Sequence, residues 1–215
     1  MKTRTSASYV TAFSSALSFF KARNHPVTAL KIDNETSEPL TNLFRTSSLY
    51  FQYAPPGNHR TLTAERDIRT AKNHLISILA STHLTFPSNR WDDLLRQAEL
   101  TLAHLRPWRP QPTKSAWHGL HGSPFNFASH PIHPAGQLCV IHESPLTRPT
   151  WSPHGQRCFY LYPLHQHYRC HRVFVPSSSS YRTTDTLDHF PDPLFHFESP
   201  LSAPPPPPPD PLPVR

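Results

Sequence analysis

With 215 residues, 27 of them proline and only five glycine, and a hydrophobic share of 36%, the chain has the makings of ordered parts joined by extended segments rather than one continuous core. A formal charge of +7, carried with sixteen histidines that add more below about pH 6.5, points to a polyanionic partner. Three cysteines without a short CxxC give no disulfide framework and fit a reducing, intracellular compartment, and no run approaches the ~18 apolar residues of a membrane span.

The amino end, MKTRTSASYVTAFSSALSFFK, has the basic start and short apolar run of a secretory leader. Its serines interrupt that run, while Val10, Phe13, Leu17 and Phe20 fall at helical spacing, so a core helix is expected there. VTALKID and SSLYFQYAPP read as short strands, the second stopped by its prolines. SEPLTNLFRTS between them reads as a short helix, which makes a strand, helix, strand unit of the parallel kind.

Two longer helices follow, over residues 62–81 and 88–106. In the first, Ala64, Ile68, Ala71, Leu75 and Leu79 are expected to face a core, while Glu65, Arg69 and Lys72 share a charged face with Arg66 beside them. In the second, Trp91, Leu94, Leu95, Ala98, Leu102 and Leu105 make the apolar face. From about residue 107 the pattern changes to short β-like runs, QLCVIH, RCFYLY and HRVFVP, separated by proline-rich and polar segments. The end, SAPPPPPPDPLPVR, reads as a polyproline II tail, either a spacer or an SH3-type ligand.

Glu65 admits two readings. It is the first half of a surface ion pair with Arg69, worth about 0.3 to 0.5 kcal/mol, or it is a metal ligand beside a basic stripe. Asp33, at the carboxyl end of the first strand, gives the second reading a partner, because two carboxylates of one site can hold Mg²⁺ ions that activate a nucleophile and stabilise a leaving oxygen.

The surrounding words are more specific than the spacing. DNE, PPGNHR, AERDIRTAKNH, WDDLLRQAELTLAHLR, SAWHGLHG and HYRC, in that order, resemble the integrase region of LTR retrotransposon polyproteins of the Copia type, over residues 1–193. The resemblance implies an α/β chain: a truncated RNase H-like integrase core at 1–106, a linker at 107–136, an SH3-like β module at 137–193 and a disordered proline-rich tail at 194–215. It implies Mg²⁺ as cofactor, element and target DNA as partners, a nuclear site of action, no membrane, and room for an oligomer. Asp33 and Glu65 are then the second and third acids of the catalytic triad, and Arg69 and Lys72, with Arg66, lie on the DNA.

There are departures. The family's first acid belongs to a strand upstream of the amphipathic helix that here begins almost at Met1, so strand transfer by this chain alone is not expected, and a reused DNA-binding remnant or a relic reading frame is the alternative. Asp67 stands where the family has a small apolar residue, and Ala71 where it has a bulky one. Cys158 and Tyr162 stand where it has glycines, whose loss removes backbone freedom that a tight β turn needs.

Two further readings come from the residues themselves. His165, His167, His171 and Cys170 are the set to test for zinc, but paired CxxC and HxxxH spacing is lacking, and surface histidines with a buried thiol are the favoured account. In the β module, Arg148, Arg157, Arg169 and Arg172 interleave with Trp151, Tyr160, Tyr162 and Tyr168. These either contact phosphates and stack on bases, or divide into barrel filling and a solvated rim.

Overall fold

The computed structural model describes residues 5–32, 37–54, 63–142, 151 and 153–190. Within these the chain is mixed α/β with three small sheets. Asp33, Arg148 and the proline tail lie outside the described residues.

Helix α1 (Ser6–Lys21) opens on Thr5, whose hydroxyl accepts from the Ser8 amide at 3.3 Å and so satisfies one of the amides a helix start leaves unpaired. Strand β1 (Ala29–Ile32), helix α2 (Glu38–Thr46) and strand β2 (Tyr50–Tyr53) form the expected parallel unit, in register from Ala29 opposite Tyr50 to Ile32 opposite Tyr53. Buried Leu40, Phe44 and Leu49 gather Phe13 and Leu17 of α1 and Leu30, Ile32 and Phe51 of the strands into a first core. Phe13 meets Phe44 edge-on at 5.4 Å, one of the preferred arrangements for an aromatic pair. The apolar face of the amino-terminal helix is therefore a packing face.

Helix α3 (Thr63–Ala80) follows, then a short 3₁₀ helix (Ser88–Leu94) that runs into α4 (Leu95–Leu105). The single helix expected over 88–106 is thus a 3₁₀ helix followed directly by an α-helix, and within the 3₁₀ helix Arg90, with φ of −103° and ψ of 22°, leaves the helical region. Leu94 becomes fully buried, whereas Trp91, Leu95 and Leu105 of the expected face are 48%, 45% and 72% exposed.

Residues 107–136 hold more structure than a linker. Strands β3 (Pro107–Trp108) and β4 (Gln111–Ser115) pair antiparallel, and helix α5 (Ala116–His121) begins on Ser115, whose hydroxyl accepts from the His118 amide at 3.1 Å. Gly119 backs onto the Trp108 ring so closely that a Cβ would lie 2.2 Å from a ring carbon, which is why SAWHGLHG has glycine at that place. His25 Nε2 donates to the Gly119 carbonyl at 3.1 Å and ties the end of α1 to α5.

The β module is a five-stranded antiparallel sheet of β5 (Leu138–His142), β6 (Gly155–Pro163), β7 (His171–Val175), β8 (Ser180–Thr184) and β9 (Asp188–His189), in the order β8-β7-β6-β5-β9. Strand β6 is buried on both faces from Cys158 to Leu161. One face presents Phe159 and Leu161 to Phe86, Leu94, Phe174 and the α3 side chains Leu75, Ile78 and Leu79. The other presents Cys158 and Tyr160 to Cys139, Ile141, Val173 and Val175.

Cys158 and Tyr162 lie within β6, and neither belongs to the described non-glycine residues with positive φ, which are Asn24, Ser48, Arg169 and Ser179. The backbone freedom of glycine is not called on there, and Cys158 is instead fully buried against Cys139, with the two sulfurs 3.3 Å apart as free thiols. The Cys158 thiol and burial together hold the Cys139 thiol well above its ordinary pKa, so it stays protonated. A thiol reagent applied to the native chain should label Cys170, which is half-buried, and reach Cys139 and Cys158 only after denaturant is added. Rapid labelling of all three in the native state would contradict this packing.

Candidate nucleic-acid interface

Helix α3 has two different ends. Its carboxyl half enters the core through Leu75, Ile78 and Leu79. Its amino half does not: Ala64 and Ala71 are exposed, and Ile68 is 66% exposed, so the apolar face expected to run the full length of the helix stops short. Hydrophobic period marks a face, but it cannot say how far along the helix a neighbour extends.

Glu65, Arg66, Arg69 and Lys72 are all solvent-exposed on this amino half, with Ile68 and the 53% exposed Ile76 between and beyond them. Spacings of three and four residues bring Glu65, Arg69 and Lys72 onto one side. Asp33 follows directly on Ile32, the last residue of β1, and lies outside the described residues, so its distance from Glu65 is not part of the site's geometry.

Asp67 has a role that the sequence did not disclose. Its carboxylate accepts from Arg106 at 2.7 Å and faces Arg109 at 3.9 Å, which ties the start of α3 to the end of α4 and to the β3–β4 turn. The Arg106 hydrogen bond lowers the carboxyl's pKa against the opposing effect of burial, and the charges of Arg106, Arg109 and Arg66 add to the lowering. Partner and acid are far apart in the chain, so no local pattern could have found them. The acid at a position where an apolar residue was expected is thus matched by the two arginines of RPWRP. Further along, His74 Nε2 lies 2.6 Å from Thr101 Oγ1, a second polar tie between α3 and α4.

The aromatic and arginine mixture of the β module separates into interior and surface. Tyr160 is fully buried and Tyr162 packs against the shared core, so these two fill the fold. Trp151 and Tyr168 are 97% and 71% exposed, and Arg157 and Arg169 are exposed with them. Arg172 sits over the Tyr181 ring at 5.2 Å, and Arg90 donates to the Tyr181 hydroxyl at 2.8 Å. That hydroxyl donates to Asp93 at 2.6 Å, which raises its pKa and pins β8 to the 3₁₀ helix. The WDD word of the sequence thus owes one of its acids to a fold contact.

The three histidines weighed for zinc go to different surroundings, and Cys170 is a half-buried free thiol. His165 lies beside Trp117, Phe125 and His130; His171 lies beside His133 and Tyr160; His167 is exposed. Among the described residues, no group of three or more His, Cys, Asp or Glu side chains is arranged to hold a metal ion. Among the described residues, no helix is long and apolar enough to cross a membrane.

No protein family's sequence pattern matches the chain, and no curated protein does. Among solved structures, the chain is similar to one in the cryoEM structure of the simian T-cell lymphotropic virus intasome in complex with the PP2A regulatory subunit B56 gamma, at 17% sequence identity and a TM-score of 0.44. The match covers 88% of this chain and 66% of the other, just under two thirds of that chain's length. At such a distance the likeness assigns the chain no family and no residue a role.

Proposed function

We propose that this chain is an integrase-type polypeptide, derived from the integrase region of a Copia-type retrotransposon polyprotein, and that it binds duplex DNA in the nucleus through the charged face of α3. The observation that carries the reading is the division of α3: one half is held in the core by Leu75, Ile78 and Leu79, while the other presents Arg66, Arg69 and Lys72 to solvent. Cations on a helix anchored in this way are held at fixed separations, which suits them to a row of phosphates. The parallel β1–α2–β2 unit supports an RNase H-like origin for the first part, and the small antiparallel sheet supports an SH3-like origin for the second.

In its finer form the proposal makes Asp33 and Glu65 ligands of Mg²⁺, an ion that would polarise a phosphoryl oxygen. Glu65, an exposed carboxylate, is the right donor type, but no cluster among the described residues supplies further acids beside it. DNA contact is the part of the proposal that the exposed cations of α3 support directly.

Affinity for duplex DNA measured across a salt series should fall with a log–log slope of about −0.9 for each phosphate neutralised. The double variant Arg69→Ala, Lys72→Ala should make that slope shallower by about 2. A flat salt response, or a slope unchanged in the variant, would remove α3 from the interface. Glu65→Gln should tighten binding without Mg²⁺, because it deletes a like charge beside the phosphates, and should erase any gain on adding Mg²⁺. A Mg²⁺-dependent gain that survives the substitution would exclude Glu65 as a ligand.

A further inference from the structure

On a different part of the surface from α3's basic face, the end of α1, the flank of α4, α5 and the residues that follow it enclose a cavity of about 520 Å³. That volume is in the range of small-molecule sites. Its wall is aromatic on one side, where Trp117 meets Phe125 edge-on at 5.1 Å and stacks with His121 at 3.8 Å. Two guanidinium groups, of Arg23 and Arg96, line the same space.

The two arginines are held differently. Arg23 lies 3.6 Å above the Phe19 ring and donates to the Phe19 carbonyl at 3.0 Å, yet its Nε is buried without a hydrogen-bond partner. An unpaired buried donor on a cation costs free energy until an acceptor reaches it. Arg96 is paired with Glu99 at 2.9 Å, but both side chains are more than half exposed, so the pair is weak and open to exchange. Glu99 lines the cavity too and is the one carboxylate there. From these contacts we infer that the cavity binds a nucleoside phosphate, with its phosphate on Arg23 and Arg96 and its ring against the wall of Trp117 and Phe125.

Electrostatics agree with an anion. Burial is the main reason that the pKa values of His121 and His165 are lowered, His165 to about 4, and the positive charge of Arg96 adds to it in both, with Arg23 acting on His121. The groups facing these imidazoles are Arg23 from the end of α1, Arg96, Glu99 and His104 from α4, and His130. An anion placed among them would offset the arginines and favour protonated imidazole.

Calorimetric titration of the full chain with adenosine 5′-monophosphate, adenosine and inorganic phosphate tests the inference. The nucleotide should bind about tenfold or more tightly than either part. Arg96→Gln should weaken nucleotide binding about tenfold, while Glu99→Gln should strengthen it by removing the competing carboxylate. Adenosine binding as well as the nucleotide, phosphate binding as well as the nucleotide, or no binding by any of the three would each overturn the assignment. So would a Glu99→Gln chain that binds no more tightly than the parent. The Arg69→Ala, Lys72→Ala variant should keep the site, so failure here and failure of the α3 interface are separable.

Discussion

Leu94→Ala will destabilise the chain by about 3 to 5 kcal/mol, the cost of a large buried side chain whose surroundings cannot close over the gap. Leu94 is fully buried, and it occupies the junction where the last turn of the 3₁₀ helix meets Phe159, Leu161 and Phe174 of the sheet and the α3 side chains behind them. Elements on several sides hold one another in place around it, so local collapse is limited and the transfer and cavity contributions both count. Because helix and strand side chains share this cluster, the loss should appear as one cooperative shift of the denaturation midpoint, seen alike by far-ultraviolet circular dichroism and by tryptophan fluorescence. A loss below about 1 kcal/mol, or two separate transitions, would show that the helices and the sheet do not share a core.

The second large effect is acid instability. His133, His171 and His189 lie together, with ring centres 4.4 Å apart for His133 and His189 and 5.1 Å apart for His133 and His171. Burial lowers the pKa of each, that of His133 to about 4, with the neighbouring imidazoles adding to the shift in His133 and His171. Arg169 lowers His171 further, while Asp185 and Asp188 act in the opposite sense on His171 and His189.

A histidine held neutral in the folded state has a pKa below its unfolded value. Above about pH 6.5 both states are neutral and nothing is lost. As pH falls below that value the unfolded chain takes up protons that the folded chain refuses, at up to about 1.4 kcal/mol per pH unit for each fully shielded group, less for partly exposed ones. Asp67 acts elsewhere: its pKa is lowered, so what it contributes is lost only below the ordinary carboxylate range.

Denaturation by urea should therefore show a midpoint that drops steeply from about pH 6.5 down to about pH 4, and His133→Gln should flatten the drop. A midpoint that held steady across that interval would mean that these rings are hydrated enough to charge without disrupting the fold.

How far the sequence could be read depended on whether the controlling contacts were local. The β1–α2–β2 unit was legible because apolar runs, a proline stop and a short amphipathic turn lie within one stretch of chain. Strand β6 was legible because burial on both faces leaves an unbroken apolar run. The β3–β4 hairpin was not, since Pro107, Pro110 and Pro112 read as linker although proline is tolerated where a strand edge needs no donor. At the charged face, the exposure of Arg66, Arg69 and Lys72 followed from helical spacing, whereas the claim of Asp67 on Arg106 and the link from Tyr181 to Asp93 join distant segments that no window spans. The cavity was hidden for the same reason, with its walls coming from four separated stretches.

The core centred on Leu94 also bears on inheritance. A break in the chain anywhere between α4 and β5 would part Leu75, Ile78 and Leu79 from Phe159, Leu161 and Phe174, leaving each half with an uncovered apolar face. Recombination within the gene could not exchange the β module alone for a relative's without also matching that buried surface. Variation at Leu94 should accordingly be found only with compensating change at Phe159 or Phe174.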